Sequence, residues 1–220
     1  MPHTSARLPL ASDPAERRAD LRRRQAELSR EHILDAAEEL FAEKGYTNAT
    51  MRQIAEAAGF SAAAVYGFVA GKEELVAAIM DRHGARLLDL HAEVLERVQG
   101  PRHQLDEIID VQVEYHVGHP NFARLFQHTT GMSFLAIEAA MDDTARRRLH
   151  EALELLEGVF LRGIECGDFV AADVSTYAIL FSAIMQGYLF RMLFQHAETP
   201  RDRAELHAFV GRAFGRRDGG

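Results

Sequence analysis

The chain has 220 residues, 47% of them hydrophobic and 26% charged, which is typical of a globular protein and unlike a disordered one. Its single cysteine, Cys166, excludes an intramolecular disulfide and a thiolate metal cluster and fits a reducing compartment. The most apolar stretch, Tyr177 to Phe190, is too short for a membrane span, and the N-terminus lacks the apolar core of a signal peptide, so we expect a cytoplasmic protein.

The net charge of −8 is unevenly distributed along the chain. Residues 1–30 hold seven arginines and four acidic residues, a local charge of +3, whereas the remainder carries −11. A basic arm on an acidic body indicates that one end of the molecule meets a polyanion.

The N-terminal third has the periodicity of amphipathic helices. Asp13, followed by Pro14, is expected to start a charged helical segment that runs to about Leu28. A second helix follows, and Gly45 is expected to end it. Its apolar stripe consists of Ile33, Leu34, Ala37, Leu40 and Phe41.

Residues 50–70 predict helix, turn, helix. Thr50 and Gln53 form a capping box that opens a short helix, and Gly59 stops it. Ser61 caps a second short helix, and Gly71 starts a long one that reaches Val98. In a helix-turn-helix the second helix enters the major groove of DNA. The spacing turns five residues inward: Ile54, Ala55, Ala58, Val65 and Val69.

The C-terminal part also predicts only helices, separated by glycine and proline breaks. Their expected ranges are 103–117, 120–129, 133–140, 144–166, 173–196 and 200–214. No run of alternating apolar residues is long enough for a sheet, so the predicted fold class is all-α.

The segment from Ile33 to Met80 resembles the DNA-binding domain of the TetR family of transcriptional regulators. The matching elements, in order, are Ile33, Ala36-Ala37, Leu40-Phe41, Gly45-Tyr46, Thr50, Ile54-Ala55, Ala58-Gly59, Ser61, Val65-Tyr66 and Lys72-Glu73-x-Leu75. The resemblance implies a homodimeric, usually repressing regulator. It divides the chain into a basic extension (1–28), a three-helix helix-turn-helix DNA-binding domain (29–77) and a helical ligand-binding and dimerisation domain (78–220).

The same resemblance assigns DNA contacts to nine positions, namely Thr50, Arg52, Gln53, Ser61, Ala62, Ala63, Tyr66, Phe68 and Lys72. Arg52 can reach a base edge or a phosphate, and Tyr66 and Lys72 match phosphate contacts of the family. Phe68 stands where many members have His or Tyr, and Ala63 where many have Gly or Pro. These departures concern the base-reading pattern more than the fold. The arginines of the arm either add DNA contacts or form a solvated tail.

The family's C-terminal domain holds a small-molecule pocket and the dimer interface. Candidate pocket residues are apolar side chains with a few polar ones: His116, Phe122, Phe126, His128, Met132, Phe134, Met141, Phe181 and Gln186. They suggest a medium-sized, largely apolar effector. The helices at about 144–166 and 173–196 are expected to pair with their copies in a dimer. The alternative is that their apolar stripes pack within one subunit.

No enzyme signature stands out, and we expect no catalytic residues, metal or cofactor. The stretch Gly67 to Lys72 has the wrong spacing for a phosphate loop. His116 and His119 with Glu114 suit a solvated helix end better than a metal site, because Pro120 breaks the helix. Two alternatives remain open: a helical small-molecule-binding protein without sequence-specific DNA binding, and an enzyme with an unrecognised helical site. The sequence does not decide between repressor and activator.

Overall fold

The computed structural model describes residues 14–130, 142–194 and 200–216. The helices in these residues are α1 (Pro14–Asn48), α2 (Met51–Ala57), α3 (Ala62–Tyr66), α4 (Lys72–Arg97), α5 (Pro101–Gly118), α6 (Pro120–Thr130), α7 (Asp143–Cys166), α8 (Val174–Phe194) and α9 (Pro200–Phe214). An antiparallel bridge joins Phe169 to Gly215 beside them. The all-α prediction is confirmed, while the helix expected at 133–140 lies outside the described residues.

Helix α1 joins the two helical segments that the sequence separated near Leu28. The stretch between them contains neither glycine nor proline, and the Ser29 hydroxyl donates to the Gln25 carbonyl oxygen at 2.9 Å instead of capping a new helix. Gly45 interrupts the helix at the predicted place, with φ of 77° and ψ of 157°. That conformation is open to glycine and strained for other residues.

The N-terminal core lies among α1 to α4 and receives side chains from α5 and α6. The apolar stripe of α1 is buried in it, as are Ile54 and Ala55 of α2 and Val65 of α3. Full burial of such side chains contributes about 1.5–3 kcal/mol each. This packing fixes the orientation of the two short helices, which are too short to be stable alone.

The C-terminal core is formed by α4, α5, α7, α8 and α9. It contains much of the α7 and α8 stripes that the sequence assigned to a dimer interface: Leu156, Phe160, Phe181 and Met192 are buried within the subunit, and Leu153, Val174, Tyr177, Ile184 and Tyr188 pack against them. Gly163 likewise serves a contact inside the subunit, because the Phe169 ring occupies the space of a side chain there. The alternative of packing within one subunit therefore holds for these stripes.

Helix α4 belongs to both cores. Leu75 and Ile79 in its first half lie in the N-terminal core, and Val94 near its end lies in the C-terminal core. The boundary expected between residues 77 and 78 thus falls within a continuous helix. Helix α4 therefore links the two cores.

Candidate nucleic-acid interface

The starts of α2 and α3 are held by the capping groups that the sequence predicts. The Thr50 hydroxyl accepts from the backbone N–H of Gln53 at 3.3 Å, and the Gln53 side-chain oxygen accepts from the backbone N–H of Thr50 at 3.1 Å. The Ser61 hydroxyl accepts from the backbone N–H of Ala64 at 3.1 Å. Gly59 makes the turn with φ of 75°. These caps satisfy backbone donors that a helix start otherwise leaves open.

The outer face of α3 is nearly bare. Ser61, Ala63 and Tyr66 are exposed, with 55% of Tyr66 accessible, whereas Val65 is fully buried. Ala62 is half-buried. Ser61, Ala63 and Tyr66 thus face outward as predicted, whereas Ala62, also predicted to face outward, packs partly against the N-terminal core. A surface of one hydroxyl, a methyl group and a phenol faces solvent.

Two predicted residues of α2 and its cap lie beside this surface. Thr50 and Arg52 are exposed, while Gln53 is half-buried. The side-chain oxygen of Gln53 is engaged by Thr50, whose hydroxyl also donates to it at 3.1 Å. The carbonyl group of Gln53 thus maintains the cap, and the Arg52 guanidinium is the cationic group of α2 at this face.

Phe68 and Lys72 make contacts within the protein that the sequence did not indicate. The Phe68 ring packs edge-on against Phe60, with centroids 6.4 Å apart. The Lys72 ammonium donates to the carbonyl oxygens of Tyr46 at 2.7 Å and Ala49 at 3.0 Å. A cation suits these carbonyls because they end α1, at the negative pole of the helix dipole. Lys72 therefore ties the start of α4 to the end of α1.

Tyr46 adds to the contact between the end of α1 and the start of α4. Its hydroxyl donates to the Glu73 carboxylate at 2.6 Å, and the Lys72 ammonium lies 4.5 Å from the centre of its ring. Partial burial, followed by the bond to Glu73, raises the pKa of Tyr46 to about 12. Gly45-Tyr46 was recognised in the sequence as part of the resemblance. The bond from Tyr46 to Glu73, 27 residues away, could not be predicted.

A polar chain connects the N-terminal head, residues 29–77, to the rest of the molecule. Glu38 of α1 bonds to the Nε2 atom of His83 on α4 at 2.9 Å, and the Nδ1 atom of His83 lies 2.7 Å from the Tyr115 hydroxyl on α5. Arg82 donates to the same Glu38 carboxylate at 2.7 Å. Burial opposes the charge of Glu38, but its bonds with His83 and Arg82 outweigh burial and lower its pKa. The sequence holds no pattern that pairs these residues.

The predicted effector residues are only partly brought together. His116, Phe122 and Phe126 cluster where α5 meets α6, with ring centroids 5.4 to 6.0 Å apart. Phe181 lies elsewhere, in the C-terminal core 6.2 Å from Phe160, and Gln186 is half-buried on α8. His128 belongs to α6, but its side chain lies outside the described residues, as do Met132, Phe134 and Met141.

His119, the second histidine of the motif that the sequence judged unsuited to a metal, bonds to the backbone. The Nδ1 atom of His119 bonds to the Tyr115 carbonyl oxygen at 2.7 Å, and the His119 ring stacks on Tyr115 with centroids 4.1 Å apart. Among the described residues there is no group of three candidate metal ligands. Likewise, none of the helices in the described ranges is both long and apolar enough to cross a membrane.

The arm enters the structure as the first half of α1. Its residues from Arg17 to Arg24 are almost all exposed, and Leu21 and Leu28 stand open to solvent. Asp20 pairs with Arg23 and Arg24. From Pro14 onward, where the structure describes it, the arm is thus a charged helix continuous with the head.

Comparison with known proteins agrees with this geometry. The family model for bacterial regulatory proteins of the tetR family matches residues 33–79. The HTH-type transcriptional repressor NicS of Pseudomonas putida is 25% identical over 76% of this chain and 78% of its own length. The HTH-type transcriptional regulator AcrR of Shigella flexneri is 27% identical over 76% and 77%.

The fold also matches a solved regulator. The transcriptional regulator FadR of Bacillus subtilis, determined in complex with stearoyl-CoA, superposes with a TM-score of 0.70 at 20% identity, over 82% of this chain and 95% of that one. The structure of the head, with its exposed helix α3, and the comparison with these relatives indicate the same family. The chain therefore carries, at residues 33–79, the DNA-binding domain of the TetR family of transcriptional regulators.

Proposed function

We propose that the protein is a repressor that binds a palindromic operator as a homodimer and is released by a small, largely apolar effector. The observation that carries the proposal is the α2–α3 unit: a capped, core-anchored pair of helices whose second member exposes only small side chains and Tyr66. It acts through binding and not through catalysis.

The bare surface of α3 suits entry into a DNA groove, because bulky side chains would hold the backbone away from the bases. Alanine methyl groups contact thymine methyl groups, and the Tyr66 hydroxyl reaches phosphate. Few hydrogen-bonding groups are available on α3. Arg52, Ser61 and the shape of the DNA therefore supply the specificity.

The head has a net negative charge, so it needs cations from elsewhere in the chain to bind DNA, and the arm can supply them. Residues 29–77 carry four basic and eight acidic side chains. Arg82 neutralises part of that excess through Glu31, Asp35 and Glu38, at 2.7 to 3.0 Å. DNA affinity depends largely on cations that neutralise phosphates. The exposed arginines of α1 are the nearest such group along the chain.

Exposed apolar side chains on α7 and α8 support the proposed dimer. Leu161, Ile179 and Leu180 are each about half exposed, and Ala183 and Gly187 continue the Ile179 face of α8 at helical spacing. Small residues at that spacing permit close helix contact. Replacing Ile179 and Leu180 with glutamate should give monomers by light scattering and abolish operator binding, whereas Ala208→Glu, at an exposed position of α9, should change neither.

The effector is placed in the C-terminal part, beside the aromatic cluster of α5 and α6. The relation to a fold determined with stearoyl-CoA and to the fatty acid metabolism regulator of Bacillus subtilis supports an apolar molecule. The polar chain from Glu38 through His83 to Tyr115 offers a route by which a change at α5 reaches α1.

A mobility-shift assay with DNA from beside the gene tests the proposal. Specific retardation that an excess of unrelated DNA does not remove is expected. Binding that is equal on all DNA would favour the alternative, a helical ligand-binding protein without sequence-specific DNA binding.

A further inference from the structure

His91 lies where the two hydrophobic cores meet. On α4, Leu90 packs against the N-terminal core and Val94 belongs to the C-terminal core, with His91 between them. The imidazole is only 7% exposed. Burying a titratable side chain at the junction of two apolar clusters costs folding free energy. We therefore expect a function for His91.

Both ring nitrogens of His91 are buried, and within the described ranges neither has a hydrogen-bond partner. A buried polar group without a partner costs about 1–3 kcal/mol, and native proteins hold few of them. Burial, together with repulsion from His116, lowers the pKa of His91 to about 4, so the ring is neutral near pH 7. A neutral imidazole offers one N–H donor and one acceptor nitrogen.

His116 supplies the neighbouring polar group from α5. Its Nδ1 atom lies 2.8 Å from the carbonyl oxygen of Gln112. A carbonyl oxygen only accepts, so Nδ1 carries the hydrogen and Nε2 of the neutral ring is an acceptor. Burial lowers the pKa of His116 to about 4. The rings of Phe122 and Phe126 lie beside it, at 5.4 and 6.0 Å.

We propose that His91 and His116 form the polar end of the effector site, and that the effector is an apolar molecule bearing a carboxylic acid, bound with uptake of one proton. The carboxyl O–H donates to the acceptor nitrogen of His116, and the carboxyl C=O accepts from the N–H of His91. The apolar body lies against the Phe122 and Phe126 rings. This inference rests on the proposed function, whose effector site it specifies.

The groups around His91 and His116 explain why the carboxylic acid must bind together with a proton. From α5, His116 is the group whose charge acts on His91, and His83 of α4 and His119 before α6 act on His116. On α7, the Arg148 guanidinium pairs with Asp81, ten residues from His91 along α4. A carboxylate alone would be a buried charge, so it binds only after taking a proton from solvent. The proton rests between the carboxyl group and His116, where such a bond is strong.

Calorimetry with two matched probes, decanoate and decanamide, tests this. Titrations of the full chain at pH 7 in phosphate and in Tris give the number of protons taken up from the difference in enthalpy. We expect about one proton for decanoate and an affinity that falls about tenfold per pH unit from pH 6.5 to 8.5. Decanamide, which also donates and accepts, should bind without proton uptake.

Variants connect the proton to the histidines. His116→Phe keeps the ring volume and should weaken decanoate binding at least about tenfold, and His91→Phe should do the same, whereas the exposed His150→Asn should match the wild type. The buffer comparison on the wild type needs no variant to fold. No binding of decanoate, binding without a proton, or undiminished binding by both Phe variants would each overturn the inference.

Operator binding measured on the same samples separates the two proposals. A wild-type protein that binds its operator but gives any of those results refutes the histidine site alone. A wild-type protein that binds no operator refutes the proposed function instead.

Discussion

The exposed arginines of the arm should steepen the salt dependence of operator binding. Asp20 pairs with Arg23 and Arg24, which leaves Arg17, Arg18 and Arg22 as the cations between Pro14 and Leu28 that are not paired with Asp20. If each neutralises one phosphate, two arms in a dimer neutralise about six. The slope of log affinity against log salt changes by about 0.9 per phosphate, so replacing these three arginines with glutamine should make it shallower by about 5.

Fluorescence anisotropy with an operator duplex, between 50 and 200 mM salt, measures that slope. The loss of affinity across this range should shrink by about a thousandfold in the variant. The matched control replaces Arg147, Arg201 and Arg212, which are exposed on α7 and α9, and changes the net charge equally. A variant slope equal to that of the wild type would refute the reasoning and leave the arm a solvated tail.

Three further changes probe the head and its support. Arg52→Ala should relax base preference at one position per half-site, by about 1–3 kcal/mol; equal weakening on all sequences would make Arg52 a phosphate contact. Lys72→Met should lower the free energy of unfolding by about 2 kcal/mol in urea titrations, because two carbonyl oxygens lose their donor, whereas Lys44→Met should have little effect. His207→Asn should destabilise by about 1 kcal/mol at pH 5.5 and by less at pH 9; an equal effect at both pH values would contradict a charged imidazole.

The sign of the His207 effect follows from its surroundings. Burial opposes the charge of the ring, but hydrogen bonds with Asp110 at 2.9 Å and Asp106 at 3.1 Å outweigh burial and raise its pKa above 6.5. The protonated ring therefore stabilises the fold fully below pH 6.5. That contribution is lost as the pH rises through the raised pKa.

Local signals made the head predictable. Thr50 and Gln53 sit three residues apart and cap each other, Ser61 caps α3, and the stripe of α1 is buried as its spacing requires. Each of these features is decided by neighbours in sequence, and a helix start or an amphipathic face needs no knowledge of distant residues.

Contacts between residues that are far apart in sequence could not be predicted. Lys72 could be matched to a phosphate contact, but its bonds to carbonyl oxygens more than twenty residues away depend on how α1 and α4 meet. The stripes of α7 and α8 show the same limit. Their periodicity says that a face is apolar, but not whether it meets its own subunit or a partner. His91 carries no motif at all, and only the absence of a partner in the described residues singles it out.

Selection of bound sequences from random DNA tests the central claim most directly. We expect enrichment of a two-fold symmetric sequence, with half-sites about one helical turn of DNA apart and a preference that weakens at one position per half-site in Arg52→Ala. Recovery of no enriched sequence, or of a single unpaired half-site, would contradict a dimeric operator-binding repressor.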